Sequence, residues 1–408
     1  MRSRILWFVS GAILSAVLLW CVYQFTPVKD ELEWRLDAAA GIVRGWLYPG
    51  DTLPTPSGAA PAVVSSFPTA AAPLFTSEPT ASATPASTPT PIPDSIRLAA
   101  PEWEKQDWNN CGPATLALGL RYYGWDGDQF SISNVVKPDR GDRNVNIDEL
   151  AYYVRTRAGW MGAMYRVAGT LEILKRFIAA GYPMIVEKGY VIVSDGPDAG
   201  WAGHYLLLTG YDDARQVFIT QDAFEGPDRE VSYAVLDDGW KAFNRVYMIL
   251  YPVEQRPIIE GLLGDDLDEA VNRERALQAA QDEIQLDAED PYAWFNLGTN
   301  LLYFDRYSEA AHAFDTALAI GLPWRFTRYQ FGPYIAYFNQ GRYQDVIDLA
   351  DATLRRTNKA EESNLWRGWA RYQLGDINGA IEDFRAALRV NPNYFDAQYA
   401  LEYVGASP

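Results

Sequence analysis

Cysteine and histidine are almost absent from this sequence, with two of each in 408 residues. Cys21 sits inside an apolar N-terminal run, which leaves Cys111 as the only thiol for a folded domain, and His204 and His312 are the whole supply of imidazole. This scarcity excludes a disulfide framework within a domain. It also excludes a zinc site built from Cys and His, so no metal is expected, and no motif asks for an organic cofactor. Basic charge is short as well: 35 Lys and Arg stand against 53 Asp and Glu, for a net charge of −18. Such a surface repels phosphate backbones, which removes nucleic acid from the expected partners.

What is present is enough for folded domains. Hydrophobic residues make up 48% and aromatics 14%, and the length predicts two or three domains. The run from Ile5 to Phe25 carries no charge and is long enough to cross a bilayer as a helix. Arg2 and Arg4 precede it and no basic cluster follows, so the N-terminus is expected in the cytoplasm and the rest outside, at the cell membrane in a single pass. A cleaved signal peptide has a shorter apolar region and a nearby small-x-small site, whereas Ala38-Ala39-Ala40 lies beyond a charged stretch. Residues 1–26 are therefore read as a signal anchor. Residues 27–48 follow as a juxtamembrane amphipathic segment with Leu32, Leu36, Ile42, Val43 and Trp46 on an imperfect stripe. Residues 49–95 are rich in Pro, Thr, Ser and Ala and read as a disordered linker.

Residues 96–253 read as one α+β domain, with helices first and antiparallel strands afterwards. Helices are expected at 111–123, 147–157 and 170–180. The first is opened by Asn109 or Asn110, carries Pro113 in its first turn and is closed by Gly124. Strands are expected at 184–187, 205–210, 217–220 and 246–251. Residues 254–408 are helical and self-similar. Trp294, Leu297, Gly298, Ala310, Phe314 and Ala317 fall at tetratricopeptide-repeat spacings, and Gly368, Ala380, Phe384, Ala387 and Pro392 repeat the same offsets. Most of these small residues are packing positions, and His312, lying among them, is read as a packing or surface histidine.

Cys111 opens a helix, where the dipole and the terminal N–H groups favour a thiolate. His204 stands at the start of the strand Tyr205–Gly210. The turn Asp212-Asp213-Ala214-Arg215 returns the chain through Val217–Thr220 to Asp222. A hairpin centred near Asp213 sets Asp222 beside His204, where a carboxylate fixes the imidazole tautomer and stabilises its charged form. Asp228 and Asp195 are weaker candidates for that place, and 195–201 reads as a loop beside the cleft. Gln106 can join the Cys111 backbone N–H as an oxyanion donor.

The order Gln, Cys, His, Asp resembles papain-type cysteine peptidases. Gln-x4-Cys-Gly-Pro-Ala, then Gly203-His204-Tyr205 and Gly210-Tyr211-Asp212, resembles more closely the bacteriocin-leader-processing peptidases (family C39) and their stand-alone relatives, over about 98–252. Many papain-like enzymes place one more residue between the Gln and the Cys. The resemblance implies a papain-like fold, thiol hydrolysis of a peptide or amide bond, and catalytic positions at Cys111, His204, Asp222 and Gln106. The expected protein is a membrane-anchored extracytoplasmic cysteine peptidase acting on a peptide or protein substrate, with repeats that bind a protein partner. The alternatives are an inactive papain-like scaffold for protein interaction and a thiol acyltransferase.

Overall fold

The computed structural model describes residues 52–58, 92–192 and 200–407, with scattered positions between 15 and 47. The Ile5–Phe25 run (save Ser15), most of the juxtamembrane segment and most of the linker lie outside the described residues, as does Asp195. Among the described residues no helix is long and apolar enough to cross a membrane.

The first part of the chain builds a seven-stranded antiparallel sheet with helices on both faces. Its strands are β1 (Ser95–Arg97), β2 (Met161–Arg166), β3 (Met184–Ile192), β4 (Gly200–Asp212), β5 (Val217–Asp222), β6 (Gly226–Ser232) and β7 (Tyr247–Pro252). The spatial order is β2-β7-β3-β4-β5-β6, and β1 pairs with the far end of β4. Helix α1 (Cys111–Tyr122) is buried from Gly112 to Leu120, as its nearly all-round apolar sequence requires. It packs with α2 (Gln129–Val136) and α3 (Ile147–Arg157) over Ile185, Leu207 and Leu250 on one sheet face. On the opposite face, α4 (Leu171–Ala179) and α5 (Tyr233–Lys241) close over Leu206, Leu208, Phe218 and Ile249. The left-handed residue that ends α1 is Gly124, at φ +88°.

Several elements differ from the sequence reading. Helices α2 and α5 and strands β2 and β6 were not expected. β2 reads Met-Gly-Ala-Met-Tyr-Arg and β6 reads Gly-Pro-Asp-Arg-Glu-Val-Ser, neither rich in strand-forming residues. β3 and β4 are longer than expected, paired from Met184↔Leu208 to Ile192↔Gly200, so His204 lies inside β4 rather than at its start. The hairpin register also differs. Asp212 pairs with Val217, a bulge at Thr209 shifts the ladder, and the pairing stops at Leu207↔Gln221.

The second part is a helical array: α6 (Arg256–Leu263), α7 (Glu269–Leu286), α8 (Pro291–Tyr303), α9 (Tyr307–Ile320), α10 (Gly332–Asn339), α11 (Tyr343–Leu354), α12 (Glu361–Gln373), α13 (Ile377–Val390) and α14 (Phe395–Tyr403). Consecutive helices pack through small residues. A Cβ on Gly298 would lie 2.6 Å from the Phe314 ring, and one on Gly368 would lie 2.5 Å from the Phe384 ring. The helices do not form a detached module. Val167, Ala242, Phe243 and Val246 of the sheet domain share one apolar core with Ala276, Phe295 and Phe326. Asn244 and Asn300 exchange side-chain hydrogen bonds of 2.8 and 3.3 Å, and Asn272 brackets the Val167 backbone at 3.0 and 3.1 Å. Farther along, Asn391 donates to the Val136 carbonyl at 3.1 Å and Lys359 pairs with Asp139.

Residues 52–58, expected within the disordered linker, lie instead against this array. The Leu53 N–H donates to the Leu322 carbonyl at 3.1 Å, Thr52 bridges Pro323, and the Ser57 N–H donates to Asp345 Oδ1 at 2.9 Å. Leu53 is buried in the shared core. The physical reason is local: one large apolar side chain stands among prolines that hold the segment extended, so docking it orders few soft torsions.

Candidate active site

Cys111, His204 and Asp222 come together where the start of α1 meets β4 and the end of β5. His204 Nε2 lies 2.9 Å from Asp222 Oδ1, with both side chains buried. The Cys111 thiol is hydrogen-bonded to the same imidazole. With Nε2 facing Asp222, Nδ1 is the ring nitrogen left for the thiol. Asp222 is held in turn: its Oδ1 accepts the Phe224 and Glu225 N–H groups at 2.7 and 3.1 Å, and its carbonyl accepts Trp103 Nε1 at 3.0 Å.

The electrostatics follow from this arrangement. Burial pushes the Cys111 thiol up, but its hydrogen bond and charge interaction with His204, with the Tyr205 and Gly112 N–H groups, bring it below the ordinary thiol value. Burial alone lowers His204, yet hydrogen bonds to Asp222 and Cys111 outweigh that and raise it to about 9. Burial raises Asp222, and the His204 hydrogen bond and charge bring it below the usual carboxylate range. The three shifts favour a thiolate–imidazolium pair backed by a carboxylate.

The loop before Cys111 is built around a residue the sequence reading missed. Buried Gln129 of α2 accepts the Asp107 N–H and Asn110 Nδ2 at 2.6 and 2.8 Å, and its Nε2 donates to Glu104 Oε2 and the Lys105 carbonyl, both at 2.9 Å. Arg140 grips the Asp107 carboxylate at 2.7 and 2.8 Å. Asn110 is the N-cap of α1 but makes no side-chain cap; its Nδ2 instead donates to Gln129 Oε1 at 2.8 Å. Asn109 takes the left-handed conformation at φ 54°, which Asn tolerates better than most residues. No nearby sequence signal marks Gln129; only the fold brings α2 under this loop.

Gln106 lines the same cleft, and its N–H donates to the Ala223 carbonyl at 2.8 Å, tying the loop to the strand end that carries Asp222. Its side-chain carbonyl has no hydrogen-bond partner among the described residues. Asp228 is elsewhere, paired with Arg97 at 2.9 Å and bonded to Gln221. His312 lies half-buried in α9, away from the cleft. Tyr190 and Phe224 flank the imidazole at ring distances of 5.3 and 6.3 Å. Among the described residues no group of three or more His, Cys, Asp or Glu is placed to hold a metal ion.

The cleft has a volume of about 500 Å³, and its walls are not all from the sheet domain. Arg325, Arg328 and Tyr329, from the connection between α9 and α10, complete it. Trp201 of β4 packs between the two parts. It stacks on Phe243 at 5.9 Å and meets Phe326 and Tyr329 at 5.1 and 5.7 Å.

No curated protein matches the chain. Among solved structures, one described as a C39-like peptidase from Bacillus anthracis has 16% identity and a TM-score of 0.31, covering 38% of this chain and 97% of that one. MamA from Desulfovibrio magneticus RS-1 has 17% identity and a TM-score of 0.30, covering 33% and 75%. YrrB, described as a tetratricopeptide-repeat protein with an unusual peptide-binding site, has 16% identity and a TM-score of 0.19, covering 34% and 88%. In family terms, residues 98–253 match the Peptidase_C39 like family and residues 368–403 match the tetratricopeptide repeat, so the chain joins a C39-like segment to a repeat segment.

Proposed function

We propose that the protein is a cysteine peptidase that hydrolyses a peptide or amide bond through Cys111, His204 and Asp222. The observation that carries this reading is the hydrogen-bonded series from the Cys111 thiol through His204 to Asp222 Oδ1, the last step 2.9 Å long. The Cys111 thiolate attacks the scissile carbonyl carbon, and the carbonyl electron pair moves to oxygen, to which the Cys111 N–H and the Gln106 side-chain NH2 donate hydrogen bonds. His204 then gives its Nδ1 proton to the leaving amine as the C–N bond breaks, leaving a thioester. Water attacks the thioester, His204 takes its proton, and the acid departs with the thiolate restored. Asp222 holds the ring orientation and the imidazolium charge throughout.

The repeats would take a protein or peptide partner. The Ile5–Phe25 run is read as a signal anchor that keeps the folded part on the extracytoplasmic side of the cell membrane. Alkaline carbonate extraction checks the anchor: the full chain should stay with the membrane and a chain lacking residues 5–25 should not.

The catalytic reading is tested by labelling with a thiol-reactive peptide electrophile, with reductant present beforehand because a thiolate that lines an open cleft oxidises readily. Wild type should react and His204→Ala should lose about 10²–10⁴-fold in rate. Equal labelling of the two would remove the relay.

A further inference from the structure

We propose that Glu187 and Tyr205 are positioning residues for the thiol: Glu187, as a neutral acid, donates to the Tyr205 hydroxyl, which donates to the Val145 carbonyl, and this buried series seats the start of α1 against His204. The proposal rests on the peptidase reading above and deepens it.

Tyr205 follows His204 in β4 and holds the start of α1 with its backbone, ring and hydroxyl. Its N–H is hydrogen-bonded to the Cys111 thiol. Its carbonyl accepts the Thr115 hydroxyl at 3.3 Å. Its ring packs so closely that a Cβ on Gly112 would stand 3.3 Å away. Its hydroxyl donates to the Val145 carbonyl at 2.9 Å. That bond anchors the loop ahead of α3, from which Arg140 grips Asp107 at 2.7 and 2.8 Å, four residues before the thiol. The place of the thiol therefore depends on what fixes the Tyr205 ring and hydroxyl.

Glu187 stands directly opposite Tyr205 in the β3–β4 ladder, on the same face of the sheet. It is 6% exposed, and its carboxyl is the hydrogen-bond partner of the Tyr205 hydroxyl. Proton counting fixes its form. The hydroxyl has one proton, and the Val145 carbonyl, which can only accept, takes it. The contact with Glu187 is complete only when the carboxyl supplies the second proton. A carboxylate there would leave two acceptors competing for one donor.

The surrounding charges agree. The titratable groups acting on Glu187 include Cys111 at the start of α1, His204 and Tyr205 on β4, and Asp148 of α3. His204 is the one cation among them, and Cys111 and Asp222 already share it. A thiolate and a carboxylate side by side in a buried site do not both ionise. The relay puts the negative charge on sulfur and so leaves the proton on Glu187. Burial, with the Cys111 charge beside it, accordingly pushes this carboxyl well above its ordinary range.

The test uses the full chain with its Glu carboxyl carbons labelled with carbon-13. The resonance that Glu187→Gln removes should report a neutral acid at about pH 6, where an ordinary Glu is ionised. In Cys111→Ser, which forms no thiolate, it should titrate at lower pH than in wild type. Positioning is read as the rate of Cys111 alkylation by iodoacetamide. Glu187→Ala should lower that rate about tenfold or more, and Glu187→Gln, which keeps a neutral donor to the hydroxyl, should recover most of it. An ionised Glu187 at about pH 6 in wild type, no shift in Cys111→Ser, or a folded Glu187→Ala that alkylates as fast as Glu187→Gln would overturn the proposal. If Glu187→Ala fails to fold, by circular dichroism, Tyr205→Phe has to lower the rate about tenfold, and a wild-type rate there would overturn it. Alkylation unchanged by His204→Ala would instead remove the peptidase reading itself, with the carboxyl titration still read independently.

Discussion

Gly203 and Tyr329 meet across the boundary between sheet and repeats. A Cβ on Gly203 would lie 3.0 Å from the Tyr329 ring and 2.7 Å from Phe243 Cζ. The residue just before His204 thus has no side chain so that a repeat-segment ring can close over the cleft. Gly203→Ala should push Tyr329 outward, cost about 1–3 kcal/mol of stability, and raise KM more than it lowers kcat. Steady-state kinetics on a peptide substrate, beside a thermal melt, separates these effects.

The relay has a pH signature with a definite sign. His204 is lifted from 6.5 to about 9 because its bonds to Asp222 and Cys111 outweigh burial, and Cys111 falls below 9.0 against its own burial. The thiolate–imidazolium pair exists between the lowered thiol value and about 9, so alkylation of Cys111 should persist well below the pH at which a free thiol stops reacting. Peptide turnover should decline as pH rises through about 9, where the imidazolium proton for the leaving amine is lost. Stability follows the same sign: the His204 contribution is full below pH 6.5 and disappears as pH rises through about 9. Tm measured across that window should fall for wild type and stay flatter for His204→Gln.

Gln129 should matter more than its distance from the thiol implies. Gln129→Ala leaves Asn110 Nδ2 and the Asp107 N–H without their acceptor. Each buried orphan costs about 1–3 kcal/mol, and the displaced loop carries both Gln106 and Cys111. A lowered Cys111 labelling rate together with a lowered denaturation midpoint is expected; a midpoint change with labelling intact would restrict Gln129 to stability.

Leu53→Ala should release residues 52–58. Losing a buried Leu side chain costs about 2–5 kcal/mol, more than a short strap with few other contacts can absorb. Hydrogen exchange at the Leu53 amide, bonded to the Leu322 carbonyl at 3.1 Å, should approach the rate of an unprotected amide. The cooperative melt of the sheet domain should move little.

A fragment ending at residue 253 should be unstable. The cut uncovers Val167, Ala242, Phe243 and Val246, all buried in the core shared with the repeats. Exposing a large apolar side chain costs roughly 1.5–3 kcal/mol. Fragment 92–253 should bind a hydrophobic dye and melt well below 92–407.

The rarity of Cys and His made Cys111 and His204 legible, and the turn at 213–216 brought Asp222 to them although the real register differs from a simple hairpin. Side chains on diagonally placed strand residues remain within reach of one another, which is why the residue survived the register error. Helix α1 and the repeat helices were legible from apolar spacing and small-residue offsets. Gln129, Trp103 and Arg325 were not, because each acts on residues far away in the chain and carries no local pattern. The closure of the cleft by the repeats was hidden for the same reason: Tyr329 and Gly203 become neighbours only after both parts have folded.

The strap at residues 52–58 also decides how mechanical load enters the molecule. Tension applied to the chain ahead of Thr52 reaches Leu322, Pro323 and Asp345 before it reaches β1, because the strap is fastened there first. The sheet and its thiol are thus shielded from a pull that the helices bear.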